Sequence, residues 1–138
     1  MRALVLYSSA GRLLPLAQGL AAGLQAAGYR TDLIEASARS GPIPVFGYDL
    51  VCVGSAVAGQ FGGRVADDVG EALKRCSRLE GKAAAAFVRR RLVGSTRTLK
   101  RLMALMEEQG AQVRDFAALS DARAAERFGH RLRWDDVR

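Results

Sequence analysis

The chain has 138 residues, of which 49% are hydrophobic and 25% are charged, and its formal net charge is +7 at pH 7. This length and composition predict one globular domain with a single core, spanning residues 1–138, and exclude a disordered chain. The apolar runs are far shorter than the roughly 20 residues of a membrane-spanning helix. The N-terminal run, residues 3–6, is too short for the core of a signal peptide. We therefore expect a cytoplasmic protein.

The positive charge lies in the second half of the chain. Residues 1–70 contain five basic and five acidic residues, whereas residues 71–138 contain 16 basic and nine acidic residues. Only three of the 21 basic residues are lysines, a bias typical of a GC-rich genome, but this bias does not explain their position. The asymmetry indicates an anionic partner, which can be a protein, a nucleotide or a nucleic acid.

The first half of the chain predicts three strands and one helix. Residues 2–7 form a short apolar run that predicts a buried strand, and residues 12–27 place apolar side chains at the spacing of one helical face. Pro15 is compatible with the first turn of this helix, and Gly28 ends it. Residues 30–34 and 49–54 predict two more strands, joined by an extended, proline-containing connection.

The second half continues the alternation of strands and helices. A glycine-rich stretch, residues 55–63, precedes a helix over residues 65–76 and a strand over residues 82–88. Ser95 is a candidate N-cap for a helix that Gly110 ends. A fifth strand over residues 112–116 and a short helix over residues 122–132 follow.

This alternation predicts an α/β fold, a parallel sheet with helices on both faces. Ligands of such sheets bind beyond the carboxyl ends of the strands, where the strand order reverses. Three loops, residues 8–13, 55–63 and 89–94, are therefore the predicted location of any site.

Several segments of the chain resemble the flavodoxin family. The similarity runs in the family's order through Val5-Leu-Tyr-Ser-Ser-Ala-Gly11, Tyr48-Asp-Leu-Val-Cys-Val-Gly-Ser55, and residues 15–17, 81–87, 94–102 and 108–113. The resemblance implies a flavodoxin-like, doubly wound, five-stranded parallel sheet with strand order 2-1-3-4-5. It also implies that FMN binds non-covalently between the first and third strands.

The candidate phosphate loop departs from the family pattern. It reads Ser8-Ser9-Ala10-Gly11-Arg12-Leu13 where flavodoxins have a run like Ser-x-Thr-Gly-Asn-Thr, which wraps the FMN phosphate. Ala10 and Leu13 lack the two threonine hydroxyls, each worth roughly 0.5–1.5 kcal/mol. The backbone N–H groups at a helix N-terminus are kept, and Arg12 can add a contact to phosphate. Alternatively, the loop binds no phosphate and Leu13 packs inward.

The resemblance implies that the two other loops enclose the flavin ring. Phe61 is the aromatic candidate for stacking on the ring, the alternative being burial under the following helix. The arginines after the fourth strand would stabilise negative charge on a reduced flavin, or else form a solvated basic loop without a ligand. The predicted cofactor-binding residues are Ser8, Ser9, Ala10, Gly11, Arg12, Leu13, Ser55, Ala56, Val57, Ala58, Gly59, Phe61, Val88, Arg89, Arg90 and Arg91.

No side-chain catalyst or metal site is predicted. Cys52 and Cys76 make no metal-binding spacing, and we expect reduced, structural thiols. His130 is the sole histidine and is expected at the surface. Trp134 is expected to anchor the C-terminal tail on the body of the domain, or to be exposed for a partner.

Three functions follow for testing. The first is an FMN-binding electron-transfer protein, or the core of a flavin-dependent reductase, with an acidic redox partner protein and no membrane partner. The second is a flavodoxin-fold protein that has lost FMN and serves as a binding or regulatory module. The third, nucleic-acid or nucleotide binding by the basic half, lacks aromatic residues between the basic ones. The sequence does not indicate an oligomeric state.

Overall fold

A five-stranded parallel sheet forms the centre of the structure, a computed structural model that describes residues 1–38 and 40–133. The strands are β1 (Arg2–Tyr7), β2 (Arg30–Glu35), β3 (Leu50–Ser55), β4 (Ala83–Arg89) and β5 (Gln112–Leu119). Their order across the sheet is 2-1-3-4-5, and all four neighbouring pairs are parallel. The predicted α/β class and strand order are confirmed.

Four helices cover the two faces of the sheet. They are α1 (Leu14–Ala26), α2 (Asp67–Arg75), α3 (Ser95–Glu108) and α4 (Ala122–His130). One apolar cluster joins α1 and α4 to one face, through residues such as Leu20 and Phe128. A second cluster joins α2 and α3 to the other face, through residues such as Leu73 and Leu102. Within the described residues, no helix has both the length and the apolarity needed to cross a membrane.

The two central strands are buried from end to end. Every residue of β3 is buried, as are the four consecutive alanines of β4, residues 83–86. Alanine is a weak strand former, but the neighbouring strands on both sides supply the hydrogen bonds that hold β4 extended. Gly54 lies directly under the Phe87 ring, which a Cβ at position 54 would overlap.

Most predicted boundaries differ from the structure by one to three residues, and three of these differences have a clear cause. β5 extends to Leu119 because it pairs with β4 as far as Arg89. α2 begins at Asp67 rather than at residue 65 because Arg64–Val65 pairs with Val57–Ala58 as a short antiparallel ladder. Gly94, with a φ of 90°, precedes α3 in the N-cap position that was predicted for Ser95. Trp134 lies outside the described residues.

Candidate functional site

A cavity of about 660 Å³ opens at the carboxyl end of the sheet, beside β1 and β3. Its position is the point at which strand order reverses, the usual ligand site of such sheets. The three predicted loops all contribute to its wall, together with the segment that leads into α2. The lining residues are Ser9, Ala10, Gly11, Ala56, Val57, Ala58, Arg64, Ala66, Asp67, Asp68, Arg89 and Arg91.

The Asp68 carboxylate occupies the hydrogen-bond donors of the first loop. The Ser8 hydroxyl donates to Asp68 Oδ1 over 2.9 Å. The backbone N–H and the hydroxyl of Ser9 both donate to Asp68 Oδ2, over 2.8 and 2.9 Å. Ser8 Oγ in turn accepts from the backbone N–H of Ala10 over 3.0 Å. Asp68 belongs to the first turn of α2, so this contact joins the first loop to that helix.

The remainder of the first loop lies close to the second. Gly11 has a φ of 77°, and a Cβ at this position would come within 2.6 Å of Ala56 Cβ, so the close approach and the backbone both favour glycine. Arg12 also has a positive φ, of 54°, and its side chain is outside the cavity wall. Among the described residues, the backbone N–H groups of Gly11 and Arg12 have no hydrogen-bond acceptor.

Leu13 packs inward. Its side chain is 1% exposed and belongs to the apolar cluster beneath α1 and α4. This placement agrees with the inward-packing alternative, because a buried leucine cannot contact a ligand in the loop. Ser8 is similarly buried, and it acts on the loop through its hydrogen bonds.

Ser55 fixes the start of the second loop through its hydrogen bonds. This residue is fully buried; its hydroxyl donates to the Ala56 carbonyl over 2.8 Å and accepts from the Ala66 N–H over 2.9 Å. Ala56, Val57 and Ala58 then form the cavity wall, whereas Gly59 does not reach it.

Phe61 satisfies neither of its two expected placements. Its side chain is 68% exposed, so it is not buried under α2, and it is not among the residues that line the cavity. No aromatic side chain of the described residues lines the cavity. A flavin ring bound here would therefore lie on small side chains and backbone, unless Phe61 moved.

Two arginines of the third loop connect it to the other loops. Arg89 donates to the Arg12 carbonyl over 3.1 Å, and Arg91 donates to the Val57 carbonyl over 2.7 Å. Both line the cavity, whereas Val88 is fully buried. Arg90 instead lines a neighbouring cavity of about 470 Å³, beside the start of α3. The sequence predicted that these three arginines belong to one site. In the structure, Arg89 and Arg91 line the first cavity and Arg90 lines only the second.

The loops around the cavity are cationic, and the cavity wall itself holds three arginines and two aspartates. Residues 8–13, 55–68 and 88–97 contain six arginines and two aspartates. Arg64 and Asp67 form an ion pair at 3.6 Å in which both side chains are largely exposed, so this pair contributes little stability. The excess of arginine favours an anionic ligand or an acidic partner at this edge of the sheet.

Asp68 is the important site residue that sequence reasoning missed. It and Asp67 are the acidic residues of the first turn of α2, where carboxylates commonly stabilise the helix dipole. Nothing in the local sequence distinguishes the two. Only the packing of α2 against the sheet brings Asp68, and not Asp67, to Ser8 and Ser9.

Neither cysteine of the chain is a reactive thiol. Burial raises the pKa of Cys52, and it raises the pKa of Cys76 to about 11, so both thiols are protonated at neutral pH. His130 is exposed, as predicted. In the part of the chain that the structure describes, no group of three or more His, Cys, Asp or Glu residues is placed to hold a metal ion.

The structure is similar to solved flavodoxins and related proteins. Flavodoxin 1 of Bacillus cereus superimposes with a TM-score of 0.71 and 19% sequence identity, over 94% of this chain and 95% of that one. The chain has a flavodoxin-like fold. A flavoprotein from Bacteroides uniformis, described as putative, gives a TM-score of 0.72 and 13% identity, over 92% of this chain and 96% of that one.

The fold also occurs as part of a larger protein. In the flavodiiron protein of Giardia intestinalis, the TM-score is 0.72 at 19% identity, over 94% of this chain but 34% of that one. No family model matches the sequence, and no curated protein shows significant sequence similarity.

The cavity fits one part of FMN, the cofactor that the resemblance implies, and not the other. Its position and volume suit a planar ring, and the small side chains of Ala56 and Ala58 in its wall leave room for one. The phosphate part does not fit, because the donors of Ser8 and Ser9 already bind a carboxylate.

Proposed function

We propose that the protein binds a flavin in the cavity between its three loops and serves as an electron carrier or as the flavin-binding core of a reductase. The observation that carries this proposal is the cavity itself, which lies where strand order reverses in a flavodoxin-like fold and is lined by all three loops. FMN is the flavin that the family resemblance implies.

In this function the chain would hold the flavin ring in place and surround it with positive charge. A bound flavin supplies the redox chemistry. Ala56 to Ala58 would support the ring, and the guanidinium groups of Arg89 and Arg91 stand in the same wall. Positive charge at this place favours the more negative, reduced state of a ligand, because Coulomb attraction lowers its energy. This effect would raise the reduction potential relative to a site with acidic walls.

We further propose that the electron-transfer partner is an acidic protein. Arg90 and Arg97 line the neighbouring cavity beside the mouth of the site. Three exposed apolar side chains belong to the same loops: Phe61, Leu92 and Val93. A basic rim around apolar contacts suits an acidic partner surface, since complementary charge accelerates association and orients the encounter. The cytoplasmic location stays a prediction of the sequence.

Fluorescence titration tests flavin binding directly. We expect micromolar protein to quench FMN or riboflavin fluorescence in a saturable manner. The variant Ala58→Leu fills part of the cavity and should weaken binding at least about tenfold, because a buried ligand atom cannot share space with the added side chain. The same change at the exposed residue Ala104 is the control and should leave quenching unchanged. Fluorescence that is indifferent to protein concentration would reject the proposal.

The structure also supports a second candidate, a cofactor-free binding module. The observation in its favour is that Asp68 satisfies the Ser8 and Ser9 donors of the phosphate loop without any ligand. The absence of an aromatic residue from the described cavity wall points the same way. The titration decides between the two candidates, because a binding module that has lost its cofactor should quench neither flavin.

A further inference from the structure

We propose that Asp68 takes the place of the ligand's phosphate, so that the cavity selects a flavin without a phosphate group and binds riboflavin more tightly than FMN. This inference rests on the proposed function, since it assumes that the cavity binds a flavin. It concerns which flavin binds, and it is tested by a ratio of affinities.

Asp68 takes three of the hydrogen bonds that the first loop could give to a phosphate; the N–H groups of Gly11 and Arg12 have no acceptor among the described residues. Two hydroxyls and one backbone N–H, from Ser8 and Ser9, converge on the two oxygens of Asp68 within 2.8–2.9 Å. Hydroxyl and N–H donors around an anionic oxygen form the usual surroundings of a phosphate at the start of a helix. In this protein the anion that accepts these bonds is the carboxylate of Asp68 and not a bound phosphate.

Asp68 is held in this position from two sides. The first is the set of bonds from Ser8, which is 1% exposed and anchored at the end of β1. The second is the start of α2, where the Ala66 N–H donates to the buried Ser55 hydroxyl. Asp68 follows Ala66 by two residues, so the Ala66–Ser55 bond restrains its backbone. The Ser8 and Ser9 bonds restrain its carboxylate. Displacing it would require breaking these charge-assisted bonds.

A phosphate entering the loop would meet two costs that riboflavin does not. It would have to replace the carboxylate at the Ser8 and Ser9 donors, and it would stand close to a group of like charge. The charges of Arg89 and Arg91 act in the opposite direction, because donation to neutral carbonyls leaves each guanidinium cationic. They do not, however, release the Ser8 and Ser9 donors from Asp68. Arg64 is paired with Asp67. Riboflavin has the same ring and lacks the dianion, so it keeps the ring contacts without either cost.

The test is the ratio of the Kd values for FMN and riboflavin, measured on the full chain at one pH and ionic strength. For the unmodified protein we expect FMN to bind at least about tenfold more weakly than riboflavin. In Asp68→Ala the ratio should fall by about tenfold or more, chiefly through tighter FMN binding. Asp68→Asn removes the charge while keeping the shape, so it serves if the alanine variant does not fold.

Glu71→Ala provides the matched control. It removes the same charge from the same helix, but Glu71 is largely exposed and pairs with Lys74 at 3.9 Å. A general effect of net charge would change the affinity ratio equally in both variants. A local effect of Asp68 predicts that Glu71→Ala keeps the ratio of the unmodified protein within about twofold.

The possible outcomes separate the inference from the function on which it rests. FMN binding that is tighter than riboflavin binding, with a ratio unchanged in Asp68→Ala and Asp68→Asn, would overturn the inference and leave the proposed function intact. FMN binding that appears only when Asp68 is replaced would support it. If neither flavin binds the unmodified protein or any folded variant, the proposed function fails, and the inference fails with it.

Discussion

Single buried polar side chains position the loops of this protein. Ser55 and Thr98 are both fully buried, and each joins a loop to a neighbouring element. Thr98 Oγ1 accepts from the Gly63 N–H over 2.9 Å and donates to the Arg64 carbonyl over 3.3 Å. The Ala66 N–H that donates to Ser55 is buried, so the loss of that bond would leave a buried donor without a partner. The cavity wall thus depends on residues that do not line it.

Ser55→Ala should lower the free energy of unfolding by about 1–3 kcal/mol. The change removes the acceptor of the Ala66 N–H, and this buried donor has no other acceptor among the described residues. Urea unfolding followed by circular dichroism measures the loss. Ser120→Ala, at an exposed residue after β5, should change stability by less than about 0.5 kcal/mol. Equal effects of the two substitutions would contradict the structural role of Ser55.

At the scale of elements, α1 and α4 pack with their backbones in contact. A Cβ at Gly19 would overlap the Ala122 carbonyl, and one at Gly23 would overlap the Glu126 carbonyl. On α4, Gly129 stands against the Leu20 carbonyl of α1 in the same way. Glycine disfavours a helix by about 1 kcal/mol relative to alanine. Its presence at these positions is therefore explained by the neighbouring helix and not by local propensity.

Two glycine-to-alanine substitutions should have opposite effects on stability. Gly23→Ala is expected to destabilise the protein by about 1–3 kcal/mol, because α1 and α4 must separate to admit the methyl group. Gly70→Ala lies within α2 in open space and should stabilise by up to about 1 kcal/mol. Thermal or urea unfolding of both variants provides the comparison. Stabilisation by Gly23→Ala would show that the two helices are not so closely packed.

The alternation of strands and helices was sufficient to predict the α/β class, whereas the strand order was implied by the family resemblance. The central strands were recognisable because they are continuous apolar runs. The helices were recognisable because their apolar side chains recur on one face. The site could be predicted only as three loops. The inward position of Leu13 and the exposed position of Phe61 depend on how the loops pack against each other, a property that short motifs do not record.

At the scale of the whole molecule, the reactivity of Cys52 depends on global opening of the sheet, whereas that of Cys76 depends on its own burial. Cys52 is fully buried in β3, the central strand, and Cys76 is 9% exposed after α2. Burial raises both pKa values, so almost no thiolate, the reactive form, is present near neutral pH. Cys52 can react only when the sheet itself opens.

We expect slow labelling of the native protein by a disulfide reagent at pH 8 and rapid labelling of two thiols in urea. With Cys52→Ser, the remaining reaction of Cys76 should accelerate as pH rises toward its pKa of about 11, because the thiolate fraction grows with pH. With Cys76→Ser, the reaction of Cys52 should follow the rate of global unfolding. Labelling of native Cys52 as fast as a free thiol would contradict its burial in the sheet.

The sequence by itself determined the class of fold, the strand order implied by the family resemblance, and the edge of the sheet where the loops meet. The net charge of +7 likewise indicated an anionic partner, yet not how the arginines are used. Only the tertiary structure decided that Arg89 and Arg91 bind carbonyls of the other two loops, and that Asp68 fills the phosphate loop. The physical reason is distance along the chain. Periodicity reports which face of an element is buried, whereas the Ser8–Asp68 bond joins residues 60 positions apart, whose meeting depends on the packing of α2 against the sheet.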